Sequence, residues 1–467
     1  MRPRNDTARD QLETVLSRRA AASAADLATA VGVSVPTLHR MLQELGDKLI
    51  TTGKARRTRY AVRRGLRGDA SDLPIYEIDR QGRASLLTQL TLARPEGTCM
   101  PLDGTHWPTP DDARDAWWGG LPYLLQDMRP SGYLGRQFAR NLHQPLALPA
   151  NPHEWSDDDV LWALSQRGAD TSGNLIVGDP AYTHWQQSKA AAAAEPIKPR
   201  ALGRAYEDLA EQAVAAGVPG SSAAGEFPKF PALRDLDAFD DGKHSDTPHV
   251  LVKFSGAGRS PAVQRWADLL VCEHLAMACA ASMPAASSAR SRIITTEGGR
   301  TFLEVERFDR HGLSGRSPLV SLATINAAFL GDGSSDWTRL TARLQAMALL
   351  PADDALRVQH LWWFGRLIAN TDMHTGNLSF RPQGNFALAP TYDMLPMLYA
   401  PLPGGEVPQR EFDPPLPLPT QRSAWAIACE AALSFWQSTA GDKRISAPFR
   451  RTCSANAQRL QDVAQHA

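Results

Sequence analysis

A chain of 467 residues is long enough for two to four domains. Its 43% hydrophobic and 21% charged residues exclude a chain disordered throughout, and 50 Lys and Arg against 50 Asp and Glu exclude a partner chosen by net charge alone. The neutral total hides an asymmetry: residues 1–67 hold 14 basic and 6 acidic residues, so a basic head precedes an acidic body.

The five cysteines, Cys99, Cys272, Cys279, Cys429 and Cys453, are odd in number and form no C-x-x-C pair. Reduced, mostly buried thiols are expected, with no disulfide framework and no zinc site. The N-terminus is charged and has no apolar signal segment, and no run of 18 apolar residues occurs. A cytoplasmic protein away from membranes is expected.

In chain order, residues 9–18 put Leu12, Val15 and Leu16 on one helical face. Ser23 is placed to cap a short helix, Gly32 to make a tight turn, and Ser34 to cap a second helix with Pro36 in its first turn. Leu38, Met41, Leu42 and Leu45 would face inward. Two helices about a short glycine turn form a helix-turn-helix pattern. Residues 49–62 then read as two strands about Gly53-Lys54, a wing, and residues 48–67 carry eight basic residues and no acid. The segment resembles winged helix-turn-helix domains. As a DNA-binding head it would present Ser34, Thr37, His39 and Arg40 to the major groove, and Lys54, Arg56, Arg57 and Arg59 to phosphates. The competing reading is a structural or dimerisation module with a solvated basic face.

Residues 73–95 alternate apolar and polar about Arg80-Gln81-Gly82, which predicts two strands and a turn. Trp117 and Trp118 are expected in the core. Residues 189–199 read as a helix end followed by a linker.

The chemistry concentrates further on. In LIANTDMHTGNLSF (367–380), Asp372 and Asn377 stand at the D-x-x-x-x-N spacing of a protein-kinase catalytic loop. There the acid takes the proton of an attacking hydroxyl and the amide oxygen helps hold Mg²⁺. After a hairpin-like stretch comes Asp393, placed as a second hard oxygen ligand. HVLVKF (249–254) is an apolar strand ending near Lys253, and either Asp268 or Glu273 on the following helix could pair with that lysine. TFLEVERFDR (301–310) suits a connector at an adenine. VPGSSAAGEFPKF (218–230) is a Gly/Ser-rich loop whose amides could cradle phosphates, or a plain surface loop.

Taken together, these residues identify the chain as resembling the HipA-like serine/threonine kinases, the toxin component of bacterial toxin–antitoxin pairs. The resemblance covers roughly residues 73–460, with its motifs in 218–393. It implies that Asp372 is the catalytic base, that Asn377 and Asp393 hold the metal, and that His374 occupies the loop's histidine position. It implies that Lys253 binds ATP, with Glu306 and Phe308 at the adenine. SAAGEFPKF resembles the family's S-x-x-G-x-Q-x-K loop, which puts an autophosphorylation serine at Ser222, with Gly225 and Lys229 in the same loop. Two departures stand out: Phe227 where the motif has Gln, and Gly376 where many members have Lys. A winged helix fused to the kinase resembles the YjjJ-type branch.

The expected fold is α+β: a winged helix-turn-helix over residues 1–67, a HipA-like N-terminal subdomain over 68–205, a kinase N-lobe over 206–310 and a mostly helical C-lobe over 311–467. ATP and Mg²⁺ are the implied cofactors. The implied partners are DNA through the head, a protein substrate such as an aminoacyl-tRNA synthetase or another translation component, and a HipB-like antitoxin. Two other functions stay open. One is a DNA-binding regulator with an inactive, nucleotide-sensing kinase body. The other is a metal-dependent deoxyribonuclease using Asp372, His374 and Asp393.

Overall fold

The computed structural model describes residues 6–19, 21–190, 196–215, 227–236, 245 and 247–466. Ser222 and Gly225 lie outside the described residues, as do residues 191–195 of the expected linker.

The head's helices form where their caps predict. Ser23 accepts the Asp26 amide at the start of Ala24–Val31, and Gly32 ends that helix in the left-handed region at φ 71°. Ser34 caps Val35–Glu44 through the Thr37 amide. With Asp6–Arg18 these helices enclose Leu12, Leu16, Leu27, Val31, Leu38, Leu42 and Leu45. Met41, expected inside with these leucines, is only partly buried. Strands Leu49–Thr52 and Arg59–Val62 pair antiparallel, and the short strand Ala22–Ser23 flanks Arg59–Val62 on its other side.

The head is fastened to the body. Ile50 and Ala61, from the inner faces of the two strands, pack with Ala93, Cys99 and Trp117 of the next sheet. Arg64 reaches both carboxylate oxygens of Asp158, Arg67 reaches Asp159 at 2.7 Å, and Arg63 pairs with Asp72. Part of the basic excess read in residues 48–67 is therefore neutralised by acids of the body.

The next layer is a five-stranded antiparallel sheet in the order Trp117–Trp118, Thr98–Cys99, Ala84–Leu92, Leu73–Ile78, Leu175–Val177. Its central hairpin turns where expected. Asp79 accepts the amides of Gln81 and Arg83, and Gly82 takes φ 73°. Trp118 is buried and Trp117 partly so.

A four-stranded antiparallel sheet follows, in the order Ser291–Thr295, Thr301–Glu306, His249–Phe254, Lys229–Leu233. Alternation along its strands sorts the side chains. Val250, Val252, Phe254 and Phe302 face the helix Leu202–Ala215. Leu303 and Val305 face the other way, into the cluster that includes Leu269, Leu270 and Cys272 of the helix Pro261–Ala281. The C-terminal part is mostly helical. Helices Trp337–Ala346, Ala352–Leu367, Arg422–Gly441 and Ala447–Ala464 enclose Phe364, Phe435, Trp436 and Phe449. Against them lies the hairpin Ser379–Pro382 and Phe386–Leu388, extended by Val320–Ser321.

Candidate active site

The strand His249–Phe254 alternates, so Lys253 points away from the face built by Val252 and Phe254 and towards the helix Pro261–Ala281. That helix offers two acids five residues apart, which at ~100° per residue lie roughly 140° around its axis and cannot serve one partner. The structure selects Glu273. Lys253 Nζ lies 2.7 and 2.9 Å from its two carboxylate oxygens. Asp268 turns elsewhere, accepting the amide and hydroxyl of Ser446 at 2.7 and 2.6 Å at the start of the last helix.

Lys253 also donates to Asp393 Oδ1 at 2.5 Å, so one lysine joins the helix acid to the acid that follows the hairpin. Burial alone would push the lysine pKa down, but the Asp393 and Glu273 charges outweigh it and hold the cation above its ordinary value. Burial pushes Glu273 up, against the Lys253 charge. Burial also works on Asp393, but Lys253 and then Lys229 prevail and keep its carboxyl below the usual range. Lys229 pairs in register with Lys253 on the neighbouring strand. Asp393 has a positive φ of 59°, a conformation Asp tolerates better than most residues, and its side chain remains 31% exposed. Its second oxygen is thus open to a ligand.

The loop between the helix Ala352–Leu367 and the hairpin is held by its backbone. Asn370 Oδ1 accepts the Asp372 amide, Trp337 Nε1 donates to the His374 carbonyl, and Tyr392 Oη donates to the Gly376 carbonyl while meeting Ser379 Oγ at 2.7 Å. Asn377 Nδ2 donates to the Asp372 carbonyl at 2.9 Å, which turns the amide oxygen outward. Asp372 is exposed, and its carboxylate accepts no hydrogen bond among the described residues. His374 Nδ1 accepts the Gly376 amide at 3.1 Å. A Cβ on Gly376 would meet that ring at 2.9 Å, so a lysine there would require the histidine to move.

Phe227, the other departure, is buried edge-on against Trp266 at 4.6 Å, with Lys253 Nζ 5.8 Å from its ring centroid. An apolar contact stands where the related motif has an amide. In the connector, the Glu306 amide donates to the Arg290 carbonyl, and the Phe308 carbonyl accepts from Arg381 Nη2 at 3.1 Å. The Phe308 ring lies 5.9 Å from Tyr392.

Asn377 and Asp393 offer one neutral and one anionic hard oxygen, a donor pair that suits Mg²⁺ together with phosphate and water oxygens. Among the described residues no group of three His, Cys, Asp or Glu could hold a metal on its own. Sequence reasoning left Asp268 and Glu273 undecided and missed Tyr392, Trp337 and Asn370 as the loop's supports. Tyr392 stands directly before Asp393, which was its one sequence signal.

In the head, Ser34, His39 and Arg40 are exposed, whereas Thr37 is partly buried and meets Ser34 Oγ at 2.9 Å. Lys54 and Arg56 are exposed. Arg57 lies 3.7 Å from Asp115, and Arg59 donates to the carbonyls of Arg56 and Thr58.

Residues 69–186 match the middle domain of YjjJ-like toxins, and residues 221–463 match the HipA-like C-terminal domain. Over 442 residues the chain is 35% identical to toxin YjjJ of Escherichia coli strain K12, covering 94% of this chain and 95% of that protein. Among solved structures, a chain of the Shewanella oneidensis MR-1 complex of HipA, HipB and operator DNA superposes with TM-score 0.49 at 14% identity, over 84% of this chain and 97% of that one. The Helicobacter pylori proinflammatory kinase CtkA gives TM-score 0.32 at 13% identity, over 51% and 90% of the two chains.

Proposed function

The chain belongs to the YjjJ-like toxins with a HipA-like C-terminal domain, and on that premise we propose that it is a Mg-ATP-dependent serine/threonine protein kinase with a DNA-binding head. One observation carries the reading: a buried lysine bridges a helix glutamate and the acid behind the hairpin, beside a loop that exposes Asp372 and turns out the Asn377 oxygen. Phosphoryl transfer requires little covalent chemistry from the protein and much positioning of charge, and this arrangement provides it.

In this reading Lys253 meets the α- and β-phosphates and Lys229 adds charge from the next strand. Asn377 and Asp393 hold Mg²⁺, which when bound neutralises phosphate charge. Asp372 accepts the proton of the attacking Ser or Thr hydroxyl. The hydroxyl oxygen forms the new bond to the γ-phosphorus, the bridging bond to the β-phosphate breaks, and ADP leaves. Glu306 and Phe308 would border the adenine, and Ser222 and Gly225 would belong to the phosphate loop, with Ser222 as an autophosphorylation site, whereas Lys229, expected in that loop, begins the strand Lys229–Leu233. The division at residues 67, 205 and 310 belongs to the same proposal, with a translation component as the substrate class.

For the head, the exposed His39, Arg40, Lys54 and Arg56 would carry the DNA contacts, while Arg57 is shared with Asp115.

The test is incubation of the purified chain with γ-labelled ATP and Mg²⁺, with no added substrate. Label on the wild type that maps to Ser222 is expected. Absence of both label and ATP binding, with metal-dependent cutting of DNA in ATP-free buffer, would overturn the kinase in favour of the nuclease.

A further inference from the structure

A cleft of about 430 Å³ lies between the middle sheet and the C-terminal lobe, away from Lys253. Arg80 and His106 line it from the sheet side, and Ser317, Arg381 and Gln383 from the other. We propose that this cleft binds a small phosphate-bearing anion, held between the Arg80 and Arg381 guanidinium groups with His106 beside them.

The charge inventory points to an anion. Arg80 sits in the exposed turn Arg80-Gln81-Gly82, and its guanidinium has no hydrogen bond or ion pair among the described residues. Arg381 spends one nitrogen on the Phe308 carbonyl, while its Nε is buried with no hydrogen-bond partner. Two nearby acids, Asp79 and Asp309, are taken by other arginines, and a third, Glu77, faces His106. Glu77 accepts from Asn174 at 2.8 Å and lies 3.2 Å from His106. Asp79 takes Arg83 at 2.7 Å together with two backbone amides. Asp309 takes Arg307 and Arg310. Two arginines from different parts of the fold therefore line one cavity, and no carboxylate is among its lining residues. Burial, and then the Arg80 charge, disfavour the Arg381 cation, a cost that an anion in the cleft would relieve.

The forked donors of two guanidinium groups match the tetrahedral oxygens of a phosphate better than a single charge would. The size falls within the range of roughly 300–1,000 Å³ usual for small-ligand sites. Arg381 also connects the cleft to the segment beyond Thr301–Glu306, since it donates to the Phe308 carbonyl and lies 6.0 Å from that ring. An occupant would thus bear on the connector proposed to border the adenine. This coupling rests on the kinase reading, whereas the binding does not.

The experiment is calorimetric titration of the full chain with inorganic pyrophosphate at constant ionic strength. It compares the wild type with Arg80→Gln and, as a control, Lys443→Gln, an exposed cation in the turn between the last two helices. The Arg80 side chain makes no hydrogen bond or ion pair among the described residues, so its replacement should leave folding intact. A saturable site that persists in a Lys253→Gln background is expected, weakened roughly tenfold or more by Arg80→Gln, the loss of one charge-assisted pair, and unchanged by Lys443→Gln. Absence of saturable binding to the wild type would overturn the proposal. So would binding that Lys253→Gln abolishes and Arg80→Gln leaves untouched, since that would place the anion at Lys253.

Discussion

The head and the Lys253 cleft use the same residue types to opposite ends. In the head the cations sit at the surface. Arg40, Lys54 and Arg56 face solvent, while Arg63, Arg64 and Arg67 hold acids of the body. In the cleft a single lysine, 6% exposed, is enclosed by two carboxylates. Solvent screens the first set, so each pair contributes little and the free charges remain available to an outside anion. The second is desolvated, so removing one member leaves a charge that water cannot repair. Burial, more than the number of charges, separates an adhesive surface from a positioned site.

The sharpest way to break this contrast is at Asp393. Asp393→Ala removes a lysine partner and the proposed metal ligand together, and phosphate transfer from labelled ATP is expected to fall by about a thousandfold or more. A variant with activity near the wild type would mean that the cleft is structural only. Next comes Glu273→Gln, which strips the helix partner but leaves Asp393. Urea unfolding should show a loss of about 2–4 kcal/mol, in line with breaking a buried pair. A loss under about 1 kcal/mol would put this pair in the same class as the surface pairs. Smaller still is Arg64→Ala, since Asp158 is 39% exposed. About 1 kcal/mol or less is expected from thermal unfolding, with earlier proteolytic separation of the head. In the free part of the head, Arg56→Ala should weaken duplex DNA binding a few-fold and lower the slope of log affinity against log salt by about 1. An unchanged slope would remove Arg56 from the contact surface.

The features legible from sequence are those carried by neighbours in the chain. Ser23 and Ser34 announce their helices because a cap acts on an amide three residues on. The turn at Arg80-Gln81-Gly82 shows itself through Asp79 and Gly82, and the hairpin after Asn377 through its own pattern. Lys253, Asp372, Asn377 and Asp393 stand out as candidates in the sequence because spacing within motifs is local. What stayed hidden depends on distant segments. The choice of Glu273 over Asp268 turns on how the helix Pro261–Ala281 is rotated against a strand and against Ser446, 178 residues away from Asp268. The pairing of Arg64 with Asp158 joins residues 94 apart, so the basic run looked freer than it is. Arg381 carries no motif in the sequence, and only the fold brings it beside Arg80 and under the Phe308 carbonyl.

In the proposed kinase, one part of the site holds the nucleotide and another activates the hydroxyl. The most direct test of this division is Asp372→Asn, because Asp372 is exposed, makes no side-chain hydrogen bond among the described residues and lies apart from the Lys253, Glu273 and Asp393 triad. Mg-ATP affinity and labelled transfer should be measured side by side on this variant and the wild type. The account predicts affinity within about twofold of the wild type, with transfer reduced by about a hundredfold or more, the usual scale of a lost general base. Transfer at the wild-type rate, or parallel loss of binding and transfer, would contradict it.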